Sequence, residues 1–154
     1  MPYSNSYLNS NKMIANNFNP GTKNSMIFSS SAPYRNKYQG HYDRLLFVCS
    51  AGLLRSPTGA TMAAQRGHNA RSAGSNFNYA LIPVTANLIA WADQIVCVNQ
   101  ENLEQLEYNF LEHQHIIDNL TEKVVVLDIP DEYEYMDPKL QACFEKQYFD
   151  TYSI

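Results

Sequence analysis

Four short apolar runs, separated by stretches with helical spacing, constrain this chain more than any other feature. Arg44-Leu45-Leu46-Phe47-Val48 leads into Cys49, and Ala70-Arg71-Ser72-Ala73 ends at Gly74. Gln94-Ile95-Val96-Cys97-Val98 and Lys123-Val124-Val125-Val126-Leu127 complete the set. Such runs are too short for helices and suit strands buried on both faces. Between the first two, Arg55-Ser56-Pro57-Thr58 opens a helix with proline in its first turn; Met62, Ala63 and Ala64 continue it and Gly67 stops it. Pro83-Val84-Thr85 opens a second helix carrying Leu88, Ile89 and Trp91. Asn99 is placed to cap a third, in which Leu103, Leu106, Phe110 and Leu111 form an apolar stripe and Glu101 and Glu104 lie near the positive end. Asp137-Pro138 starts a last helix, running to about Tyr148. The resulting order, β-α-β-α-β-α-β-α, predicts an α/β fold: three layers, α/β/α, around a four-stranded parallel sheet. Ligands of such sheets bind beyond the carboxyl ends of the strands. That end gathers three loops: residues 49–56, the turn near 99, and 128–136.

Charge divides the 154 residues in two. Residues 1–40 contain eight Asn, seven Ser, four Lys and Arg, and no Asp or Glu. Residues 41–154 hold seven Lys and Arg against fifteen acids, a net −8. The first stretch lacks a sustained apolar period and reads as an Asn/Ser-rich flexible tail; residues 41–154 read as the folded domain. A total charge of −4 provides no basic field for nucleic acid. No run approaches the roughly 18–20 apolar residues of a membrane span. No secretory apolar core is present, and three cysteines without regular spacing fit a reducing, cytoplasmic setting. Cys and His residues are nowhere spaced for zinc, so no metal or other cofactor is expected.

The chemistry concentrates in Cys49-Ser50-Ala51-Gly52-Leu53-Leu54-Arg55, a cysteine and an arginine enclosing five residues. The cysteine ends a buried strand and the arginine begins a helix. A loop of that length can wrap the backbone N–H groups of Ser50, Ala51, Gly52, Leu53 and Leu54 around one tetrahedral anion. The same groups and the helix N-terminus favour a thiolate at Cys49. Arg55 can grip two oxygens with its planar fork, and Ser56 can donate to the sulfur. Gly52 offers the positive φ such a cradle requires. Together these features suggest a nucleophile for a phosphate ester.

Leu46-Phe-Val-Cys-Ser-Ala-Gly-Leu-Leu-Arg-Ser-Pro-Thr58 resembles the active-site loop of low-molecular-weight protein tyrosine phosphatases. The likeness extends to Arg71-Ser-Ala-Gly74, to Ala92-Asp-Gln-Ile-Val96 and to Leu127-Asp-Ile-Pro-Asp-Glu-Tyr-Glu-Tyr-Met-Asp-Pro138. It spans residues 43–148 and is closest to the compact branch of that superfamily. It implies metal-free hydrolysis of a phosphotyrosine protein or a small aryl phosphate through a phosphocysteine. Carried over by position, Cys49 is the nucleophile, Arg55 binds the phosphoryl group and Ser56 supports the sulfur. The sequence departs from the family pattern at Gly52, where an asparagine usually braces the loop, so a softer loop is expected. It departs again at Leu54, where many relatives have a second cysteine, and at Gly59-Ala60, which replaces an acid.

A tyrosyl oxygen leaves poorly unless protonated, and positioned acids contribute about 10²–10⁴-fold. Asp128, Asp131 and Asp137 are the candidates. Asp137 precedes Pro138 and has an N-cap role to fill, and Asp128 ends a strand. Asp131 is free of such duties, and Ile129-Pro130-Asp131 resembles the family's acid-bearing loop, so it is the expected acid. Tyr133, beside it, is expected to line the substrate pocket. Two alternatives accompany this reading. One is a non-catalytic phosphate- or phosphopeptide-binding module. The other is a thiol-dependent arsenate reductase, which needs two further shuttling cysteines; Cys97 and Cys143 are expected instead to be small buried hydrophobes.

Overall fold

From Leu45 to Cys49 every residue of strand β1 (Arg44–Cys49) is buried, so both faces of the strand are covered. This explains a run without polar alternation. The computed structural model describes residues 43–152; the tail expected over residues 1–40 lies outside them. β1 pairs in parallel with β2 (Asn69–Gly74) on one side and β3 (Gln94–Cys97) on the other. The short β4 (Val124–Val126) pairs in parallel with β3 and closes the order β2-β1-β3-β4.

Helices cover the sheet on both sides. Leu46, Val48, Ile95 and Cys97 pack with Ile89 of α2 (Ala86–Trp91), Leu106 of α3 (Gln100–Asn109) and Leu120 of α4 (Gln114–Lys123). On the opposite side Phe47 meets Phe144 of α5 (Pro138–Phe144) edge-on at 5.9 Å. It also meets Tyr148, in the π-helical turn Glu145–Phe149, at 5.6 Å. A last helical turn, α6 (Asp150–Tyr152), follows. The first helix, α1 (Arg55–Gln65), joins this aromatic layer through Gly59, where an added Cβ would stand 2.5 Å from Phe47 Cδ2 and 2.8 Å from Phe144 Cε1.

The three-layer, four-stranded parallel fold is therefore as expected, with local corrections. A separate helix, α4, fills the stretch before β4; its Ile116, Ile117 and Leu120 carry the apolar spacing. The preceding helix ends at Asn109, which leaves Leu111 outside the stripe and 68% exposed. β4 is an edge strand with Val126 partly open to solvent, rather than a run buried throughout. Cys143 is half-buried rather than enclosed, because α5 presents only Leu140 and Phe144 fully inward. Among the described residues no helix is long and apolar enough to cross a membrane, and no cluster of three or more His, Cys, Asp or Glu could hold a metal ion.

Candidate active site

Cys49 is the last residue of the central strand, so the sheet itself fixes its position at the carboxyl edge. The chain then turns back over the sulfur. Gly52 N–H points at Cys49 Sγ from 3.2 Å and Ser56 N–H from 3.4 Å, while Ser56 Oγ lies 3.1 Å away. The N-cap position of α1, Leu54, makes no side-chain capping bond, so the first amides of the helix remain directed at the loop. Gly52 has φ +78°, in the left-handed region, and a Cβ there would lie 3.1 Å from the backbone of Ala73 and Gly74. Glycine thus meets both the conformation and the close approach to β2. Gly74 is equally constrained, since its Cβ would fall 2.6 Å from Ser50 O.

Arg55 is 3% exposed. Its Nη1 donates to Ile129 O at 2.9 Å, and its Nε stands 3.5 Å from Asp131 Oδ1. The arginine that follows the cradle is thereby joined to the loop after β4, and of the three candidate acids Asp131 is the one paired with it. Asp137 caps α5, accepting from Lys139 N–H at 2.8 Å. Asp128 has its backbone held from both sides by the Gln147 amide, at 2.7 and 2.9 Å. At the far end of the loop, Met136 N–H donates to Thr58 Oγ1 at 2.8 Å and the Tyr135 hydroxyl lies 2.9 Å from Thr61 Oγ1. Tyr133 is half-buried; desolvation, and after it the neighbouring Cys143 thiol, raise its hydroxyl above the ordinary phenol pKa. Leu53 and Leu54 lie on the exposed rim, 51% and 40% accessible.

Sequence reasoning missed the brace beneath the cradle. Asn102 of α3, fully buried, donates to Ser50 Oγ at 3.2 Å and to Ser75 Oγ at 3.1 Å. Ser75 returns to the strand end, its N–H donating to Cys49 O at 2.8 Å, and is itself held by Gln105. These bonds hold Ser50 and the end of β1 from the side of α3. Asn102 stands three residues after the Asn99 cap and also completes the capping box, so its spacing signalled helix capping and nothing more.

No family model matches the chain, and no curated protein does. Solved structures do match. Wzb from Vibrio vulnificus, in complex with benzylphosphonate, is 18% identical with a TM-score of 0.50, covering 68% of this chain and 99% of that one. The YwlE arginine phosphatase from Geobacillus stearothermophilus is 17% identical with a TM-score of 0.51, covering 68% and 84%. The tyrosine phosphatase Wzb from Escherichia coli K30, in complex with phosphate, gives 17% and 0.50, covering 72% and 90%. The fold is that of the low-molecular-weight tyrosine phosphatases. At these identities the likeness concerns the fold alone.

Proposed function

We propose that this protein is a metal-independent phosphomonoester hydrolase, acting on phosphotyrosine in proteins or on small aryl phosphates through a phosphocysteine. One observation carries the reading: a sulfur set beneath two backbone N–H groups and a hydroxyl, with a buried guanidinium and a carboxylate beside it. The phosphate dianion docks in the cradle formed by Ser50, Ala51, Gly52, Leu53 and Leu54, its oxygens taken by loop amides and by the Arg55 fork. Cys49 Sγ attacks phosphorus in line; the S–P bond forms as the P–O bond to the leaving group breaks. Asp131 gives that oxygen its proton. As a carboxylate, Asp131 then takes a proton from water, whose oxygen displaces the sulfur and releases phosphate. Ser56 Oγ, 3.1 Å from Sγ, supports the thiolate as attacker and as leaving group. Asp131 is exposed and its 3.5 Å contact with Arg55 is long, so an arriving phosphate takes over the guanidinium.

The comparison structures include a tyrosine and an arginine phosphatase, so architecture does not select the leaving group. The apolar rim of Leu53 and Leu54 favours an aryl ring over a guanidinium, and Tyr133 adds an aromatic side chain to the acid loop. An arsenate-reducing relay is poorly supported: Cys97 lies fully buried within β3, and burial pushes its thiol up to about 12. The deciding experiment is hydrolysis of aryl phosphates by wild type, Cys49→Ser and Asp131→Asn. Turnover lost in Cys49→Ser, and lowered about 10²–10⁴-fold in Asp131→Asn for poor leaving groups but much less for good ones, is expected. Phosphate binding without turnover in the wild type favours the binding module. An equal loss in Asp137→Asn, or a flat leaving-group dependence, moves the acid elsewhere.

A further inference from the structure

A cleft of about 540 Å³ opens between the segment after β2 and helix α3, outside the phosphate cradle. Phe77 and Tyr108 stand at its sides, Glu101 and Glu104 on its helical face, and Asn76 and Asn109 add amides. Phe77 is fixed by edge-on packing against Phe110 at 5.9 Å, yet remains 45% exposed; Tyr108 is 77% exposed. Neither glutamate has an ion-pair partner among the described residues. Glu104, expected near the positive end, lies beyond the first turn of α3, so the helix macrodipole accounts for Glu101 but not for Glu104, nor for two aromatic side chains left open to water. Aromatic faces combined with unpaired carboxylates are the chemistry that recognises an organic cation. The cleft is also tied to the nucleophile's strand. Its Ser75 donates from N–H to Cys49 O, and its Asn76 from N–H to Ser50 O at 3.0 Å.

We infer that this cleft is a substrate subsite for a lysine or arginine side chain flanking the phosphorylated residue of a protein substrate. The inference rests on the phosphatase reading above and names the substrate class more narrowly. It agrees with the charge of the domain, where fifteen acids against seven bases disfavour acidic phosphopeptides.

The test uses the full chain and two phosphotyrosine peptides identical except for lysines or glutamines beside the phosphotyrosine. The third substrate is p-nitrophenyl phosphate, which is too small to reach the cleft. The subsite predicts a KM about tenfold lower for the lysine peptide at low salt, with similar kcat. That advantage disappears in the Glu101→Gln, Glu104→Gln double variant and at about 1 M salt, whereas p-nitrophenyl phosphate is hydrolysed alike by both proteins. Tyr108→Ala, at an exposed position that folding does not need, reduces the preference by about two- to fivefold. Equal KM values for the two peptides, or a lysine preference that survives the double substitution, overturns the inference. If p-nitrophenyl phosphate is left intact by the wild type, the phosphatase reading fails instead. The subsite is then decided by fluorescence anisotropy of the same peptides: lysine-dependent binding lost in the double variant sustains it, and lysine-independent binding or none overturns it.

Discussion

The amide of Asn102 joins three segments at once: it donates to Ser50 and Ser75, and its oxygen accepts from Asn99 N–H at 3.1 Å. The Asn102 side chain itself is fully buried, and an unmet polar group there costs about 1–3 kcal/mol. Asn102→Ala is expected to lower stability by about that amount and to weaken phosphate binding, because Ser50 loses its anchor. Thermal denaturation and phosphate-protection assays measure the two effects separately. Gly74 poses a purely steric demand. An alanine there meets Ser50 O at 2.6 Å and Ala80 Cβ at 2.5 Å, so Gly74→Ala should push the loop off the strand end and cost turnover more than fold. The thiols differ as sharply. Iodoacetate, an anion, should alkylate Cys49 and spare Cys97, whose thiol is pushed up to about 12 and sealed in the sheet. Inorganic phosphate should protect Cys49, as peptide mass mapping of treated protein will show.

Among the elements, α1 has the closest fit. Its Gly59 faces Phe47 and Phe144 with no room for a methyl group, so Gly59→Ala should destabilise by about 1–3 kcal/mol despite alanine's better helix propensity. The urea midpoint is the measurement, and the sign is the informative part, since propensity alone predicts a gain. This same glycine reads in the sequence only as a missing acid, because the aromatic ring it accommodates is 85 residues further on. The central strands were legible for the opposite reason: double-sided burial writes itself as a continuous apolar run. Helix α4 carried a signal, Ile116, Ile117 and Leu120, but it follows α3 so closely that one apolar stripe masks the start of the next. The edge position of β4 was not legible, since Val-Val-Val looks the same with one neighbour as with two.

At the scale of the whole molecule, the geometry of the candidate site was readable wherever its parts are contiguous in sequence. Cys49 to Ser56 is one loop, and its geometry follows from strand, turn and helix. The bracing residues Asn102, Ser75 and Gln147 were not readable, because each acts on a segment distant in sequence. Net charge acts at this scale too. With a net −8 over residues 41–154, association with an acidic phosphopeptide should speed up as ionic strength rises, whereas a basic one should slow down. Stopped-flow binding at two salt concentrations distinguishes these.

The segment bearing Asp131 is fastened at one end by Gln147 and at the other by Thr58 and Thr61, with the Arg55 bond to Ile129 between them. In the mechanism proposed above, an acid mounted on such a bridge has no closing stroke to make before it works. Under that mechanism, kcat for an aryl phosphate with a poor leaving group, where chemistry sets the rate, should hold steady as sucrose raises the viscosity.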